Sequence, residues 1–198
     1  MQLIYDIEIK KAIAGKDSER LEGIEYCAGW KDHENMGISS ICALEVDGSK
    51  VIRPRVFMDD NFDEFREVVD RSDLIVGFNS IPFDNTVCRA NGIDVPDEKS
   101  YDILRELWLA AGLGEEFIYP SHVGFGLNAV CIANGFPVKS GHGAQAPVQY
   151  QQGKIGALID YNMQDVMITW EVFKKIVLDG QLIDPRDPSK TLDVRSPF

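Results

Sequence analysis

The sequence predicts an α/β domain on a mixed sheet, and three observations carry that prediction. Three strand-like runs with short connections open the chain. The periodicity of apolar residues then becomes helical near residue 60, and short apolar runs alternate with helices from there on. A chain of 198 residues suits a single domain, taken as residues 1–183, with a C-terminal tail over 184–198.

Residues 2–9 are rich in β-branched and aromatic side chains, which predicts a strand. Its period of two puts Leu3, Tyr5, Ile7 and Ile9 on one face and Asp6 and Glu8 on the other. A polar loop follows over 10–22, then strands over 24–30 and 38–46, the latter ending in the turn signal Asp47-Gly48-Ser49. Residues 51–58 pair back as a hairpin arm or run on as an extended crossover. Phe62, Phe65, Val68 and Val69 recur at helical spacing within 60–72, with acids early in the segment. Leu74 to Phe78 reads as a strand buried on both faces. A helix over 83–90 stops at Asn91-Gly92, a short strand covers 101–104, and helices cover 105–111 and 127–133. Residues 139–153 show no periodicity and read as a Gly/Gln-rich loop. The longest helix is predicted over 155–178, ending near Gly180. Three prolines and mixed charge after Asp184 mark the tail.

Composition excludes several classes. Apolar residues are 44% and charged residues 26%, a globular balance that excludes wholesale disorder. No run reaches the roughly 18 apolar residues of a membrane span. Asp6 and Glu8 stand where a signal peptide carries base, so a cytoplasmic chain is expected. The four cysteines, at 27, 42, 88 and 131, include no C-x-x-C pair, which disfavours zinc and fits reduced thiols. A net charge of −12, from 32 acids against 20 bases, argues against a protein that grips nucleic acid by bulk charge. It leaves room for an enzyme that gathers carboxylates to hold divalent cations, whose charge then meets a phosphate.

Three constellations carry candidate chemistry, each with a plainer alternative. Asp6 and Glu8 project from one face of an apolar strand, where two buried carboxylates are costly unless a cation relieves them. Asp-x-Glu also occurs at Asp17-Glu19 and Asp32-Glu34, both in polar stretches that solvent accounts for. The run Leu74 to Asp84 takes a buried strand through Asn79 and a Pro turn to a carboxylate at a helix start. That position suits a helix cap as well as a ligand site at a strand C-terminus. Tyr161 and Asp165 share a face of the long helix at i and i+4. The alternative is a tyrosine at the core edge and an aspartate paired with a base. Trp30, Trp108 and Trp170 are expected to be structural.

Taken together, Asp-x-Glu on the first strand, Asn-x-x-x-Phe-Asp after the buried strand and Tyr-x-x-x-Asp in the long helix resemble the three motifs of the DEDD 3′–5′ exonucleases. The tyrosine points to the DEDDy subclass, which includes the proofreading domains of family-B DNA polymerases. The resemblance runs over about residues 1–180 in the same motif order, with echoes at Tyr101-Asp102-Ile103-Leu104, Leu127-Asn128-Ala129-Val130, Gly135 and Lys139-Ser140-Gly141. It implies an RNase H-like fold with a mixed five-stranded sheet flanked by helices. It also implies that Asp6, Glu8, Asp84 and Asp165 hold two divalent ions, Mg²⁺ or Mn²⁺, and that Tyr161 orients the attacking water. A free tyrosine, with a pKa of about 10, is a poor base at neutral pH, so its role is to position and the ions acidify the water. Asp160 occupies the place where the histidine subclass carries its His. Ile9 stands where members often carry a hydroxyl residue, and a polymerase domain is not expected within the 198 residues.

Substrate contacts are expected from Ile9, Asn79, Phe83, Lys139 and His142, with Lys154 nearby; Phe78 is expected in the core. The implied activity is stepwise release of nucleoside 5′-monophosphates from single-stranded 3′ ends, with DNA preferred over RNA and no membrane partner. The rival readings are an exoribonuclease, a structure-specific endonuclease using the same ions, and a non-catalytic RNase H-like module that binds nucleic acid or protein.

Overall fold

The computed structural model describes residues 1–15, 19–138, 141 and 143–198. In chain order the strands and helices are β1 (Gln2–Ile9), β2 (Ala12–Ile13), β3 (Tyr26–Cys27), α1 (His33–Met36), β4 (Ile38–Asp47), β5 (Lys50–Phe57), α2 (Phe62–Arg71), β6 (Leu74–Gly77) and α3 (Asp84–Ala90). They continue with β7 (Ser100–Asp102), α4 (Ile103–Ala110), α5 (Leu127–Asn134), α6 (Ala146–Gln151), α7 (Ile155–Asp179), β8 (Gln181–Ile183) and β9 (Thr191–Asp193).

Five strands form the main sheet in the order β5-β4-β1-β6-β7. β4 runs antiparallel to β1 and β5, while β6 runs parallel to both β1 and β7. This is the mixed, helix-flanked, five-stranded sheet expected of an RNase H-like fold. The hairpin reading of 51–58 holds, with Asp47 opposite Lys50 across the turn.

Apolar residues on the two faces of β1 enter different cores. Leu3, Tyr5 and Ile7 join Phe65, Val68 and Val69 of α2 and Val87 and Cys88 of α3. Ile4 joins Leu104 and Leu107 of α4, Val130 of α5 and Val166, Ile168 and Val172 of α7. Burial on both faces is what the near-continuous apolar run of β1 encodes. The helix α7 lies across β1 and β4, and Gly180 ends it in a left-handed conformation at φ 67°.

Three segments differ from the sequence expectation. The strand expected over 24–30 is only β3, paired with β2 in a separate ribbon, because the Asp32 carboxylate takes the Ala28 amide at 2.7 Å and turns the chain. Within the loop expected over 139–153, Ala146–Gln151 is helical. Pro147 stands in its first turn, and Ala146 is buried with Leu158 and Tyr161. Its polar glutamines hide that periodicity from a reading of the sequence. The segment 184–198 carries β9, which pairs with β8, and buries Leu192 and Val194 in the core under α7. Tyr101 Oη donates to the Arg195 carbonyl at 2.5 Å and ties this segment to β7. Among the described residues, no helix is long and apolar enough to cross a membrane.

Candidate active site

After β1 the chain builds β4 and β5 on one side and later returns to place β6 on the other. Such a switch point between parallel strands leaves a crevice beyond their C-terminal ends. Asp6 and Glu8 lie at that end of β1. The pairing of β1 with β4 shifts by one residue between Glu8 and Ile9, a bulge at the rim of the crevice. The α7 helix brings Tyr161 and Asp165 over the same end of the sheet.

Carboxylate oxygens of Asp6, Glu8 and Asp165 lie within 4.8 Å of one another. Glu8 and Asp165 are buried and Asp6 is half-buried, so their negative charges are concentrated where water screens them poorly. All three donors are hard oxygens, the set that suits Mg²⁺ or Mn²⁺ better than zinc. Asp84 is not in this tight group but lines the same cleft. Its Oδ1 accepts the Ile7 amide at 3.0 Å, which locks it to β1. Burial pushes the Asp84 carboxyl up to about 8 against the pull of that amide, and the charges of Asp102 and Asp165 add to the rise. A cation that needs Asp84 ionised would have to displace that proton.

The cleft has a volume of about 230 Å³. Tyr161, Ile9, Asn79 and Phe83 line it together with the acids, so these sequence-predicted residues do converge. Phe78, expected in the core, packs half-buried against it and also lines the cleft. Lys139 and His142 lie outside the described residues, although Gly143 and Ala144 beyond them reach the cleft wall. Lys154 stands just before α7, makes no side-chain capping bond there, and does not line the cleft.

Three further residues belong to the site's construction. Asn162 is fully buried, and its Nδ2 donates to Asp6 Oδ2 at 2.8 Å. The signal for it was a carboxamide three residues before Asp165 on the same helical face. Asp102 is buried at the start of α4, where its carboxylate accepts the Leu104 and Arg105 amides. It also accepts the Asn79 and Ile81 amides, at 2.8 and 3.1 Å, and so pins the turn after β6. Asn79 sits in that turn at φ 63°, a left-handed conformation that asparagine tolerates better than most residues. Burial raises the Asp102 carboxyl, opposed by the four amides. The third is Trp30. Trp108 and Trp170 are buried as expected, but Trp30 is 69% exposed and lines the cleft beside Phe83.

A family model described as a predicted 3′–5′ exonuclease related to the exonuclease domain of PolB matches residues 117–194. That stretch contains Tyr161 and Asp165, while Asp6, Glu8 and Asp84 lie before it. At this level the chain resembles a nucleic-acid exonuclease domain. Among solved structures, the family B DNA polymerase of the hyperthermophilic archaeon Pyrobaculum calidifontis is similar, at 17% identity and a TM-score of 0.45. The match covers 89% of this chain and 24% of the polymerase, so the chain spans about a quarter of that protein's length. No curated protein sequence matches.

Proposed function

We propose that the protein is a two-metal 3′–5′ exonuclease of the tyrosine (DEDDy) subclass, acting on single-stranded DNA and releasing nucleoside 5′-monophosphates. The observation that carries this reading is the meeting of Asp6, Glu8 and Asp165 oxygens within 4.8 Å at the sheet's switch point. Residues from the first strand and the last long helix converge there, in the order the exonuclease motifs require. Carboxylates that close to one another, two of them buried, repel where water screens poorly unless a cation offsets them, and a module that only binds has no need of such a cluster.

Asp6, Glu8 and Asp165, with Asp84 beside them, would hold Mg²⁺ or Mn²⁺. When bound, such ions supply the positive charge that offsets a phosphodiester and its leaving oxygen and bring a water's pKa toward neutrality. The chain's own groups do the rest. Asn162 fixes one Asp6 oxygen, and the Ile7 amide fixes Asp84, so the donors are held before a substrate arrives. Tyr161, walled in by α6 and α7, orients the attacking water by hydrogen bond and does not serve as the base. Asn79 and Phe83 contact the terminal nucleotide, and Ile9 offers it an apolar surface. Residues 1–183 act as one catalytic domain, with the segment that follows bracing α7.

The test is digestion of 5′-labelled DNA and RNA oligonucleotides with Mg²⁺ or Mn²⁺. Products shortening one nucleotide at a time, faster on DNA, are expected, with circular single strands left intact. Asp6→Ala is expected to lower turnover about a thousandfold, the equivalent of several kcal/mol of lost charge stabilisation. Internal cuts in circles would select the endonuclease reading. Equal activity of Asp6→Ala would refute the assignment.

A further inference from the structure

Exposed tryptophans are uncommon in a folded chain, because the indole's large apolar area gains most by burial. Trp30 is 69% exposed and stands at the rim of the cleft that contains Asp6, Glu8 and Asp165. Its ring centroid is 6.0 Å from that of Phe83, with the planes crossing at 60°. Edge contact of this kind anchors the indole while leaving ring area uncovered. His33 also meets Phe83, at 6.5 Å and 82°, so two rings contact Phe83. The chain around Trp30 is fixed too: the Asp32 carboxylate accepts the Ala28 amide, and the Asp32 amide donates to the Gly29 carbonyl at 3.0 Å.

We infer that Trp30 is a stacking platform for a nucleobase at the 3′ end of a single strand, set beside the carboxylate cluster. The inference rests on the exonuclease reading and adds a substrate-binding residue to it. A net charge of −12 gives the protein little bulk attraction for a polyanion, so affinity must come from local contacts. Stacking on an aromatic face serves that need without demanding a particular base, since every base has a π-face. Ile9 and Ile13 line the same cleft and extend its apolar wall.

The three tryptophans make the test direct, because Trp108 and Trp170 are buried. An oligothymidylate whose 3′-terminal linkage is a phosphorothioate, slow to hydrolyse, is titrated into the wild type with Mg²⁺ while tryptophan fluorescence is read. Saturable quenching is expected, and it should vanish in Trp30→Phe. In steady-state digestion, Trp30→Ala should raise KM about tenfold with kcat within about twofold, and Trp30→Phe should recover most of the loss. Normal digestion with no quenching, or a Trp30→Ala enzyme with unchanged KM, would overturn the platform while leaving the exonuclease reading intact. A wild type that neither binds nor shortens the strand would remove both.

Discussion

Asp6 is oriented by a neutral donor, the Asn162 carboxamide at 2.8 Å, which fixes its direction without neutralising its charge. If Asp6 ligates a cation as proposed, this bond holds it ready, and such supporting bonds typically carry 10- to 100-fold in affinity or rate. Asn162→Ala is therefore expected to weaken Mn²⁺ binding and slow digestion by about that factor, with an unchanged circular dichroism spectrum. Equal Mn²⁺ affinity would mean that Asn162 only fills space. Tyr161 makes the complementary prediction. Removing its hydroxyl in Tyr161→Phe should lower kcat about 10- to 100-fold, because the water is misplaced, and leave the Mn²⁺ titration unchanged. A loss of metal affinity in that variant would make the phenol a ligand and not a positioner.

The turn after β6 shows how an element serves the site. β6 ends at Gly77, where an added methyl would lie 2.6 Å from the Ser80 hydroxyl, so the chain folds back on itself only because no side chain is there. The left-handed Asn79 follows, and Asp102 clasps its amide from the neighbouring strand β7. Gly77→Ala should destabilise the fold by about 1–3 kcal/mol, read as a lower urea midpoint, and should slow digestion by shifting Asn79 and Phe83. A variant as stable and as active as wild type would show that the turn yields without cost. The strand, turn and helix over residues 74–90 were legible in the sequence, because an apolar run, Pro82 and a terminal Asn-Gly are local signals. The clasp was not, because Asp102 lies 23 residues beyond Asn79, inside what the sequence reads as a short strand over 101–104.

At the scale of the whole molecule, the site exists because the sheet reverses its direction of growth beside β1. That reversal brings residues 6–8, Asp84, Tyr161 and Asp165 into one cleft. That Asp6 and Glu8 share one face, and Tyr161 and Asp165 another, was legible beforehand, since a period of two on a strand and a spacing of four on a helix are properties of the chain alone; that these pairs and Asp84 form one site was implied only by the resemblance of the three motifs. Trp30 was not, because nothing near it in sequence distinguishes an indole at a rim from one in a core. The helix hidden among the glutamines of 146–151 escaped for a related reason: what makes it fold is contact with α7, not a pattern of its own. The account as a whole turns on whether the carboxylate cluster binds cations. Calorimetric titration of the wild type and Asp6→Ala with Mn²⁺ tests that most directly. Saturable binding in the wild type, lost or greatly weakened in Asp6→Ala, is the predicted result. No saturable binding to the wild type, or an identical isotherm for the variant, would contradict it.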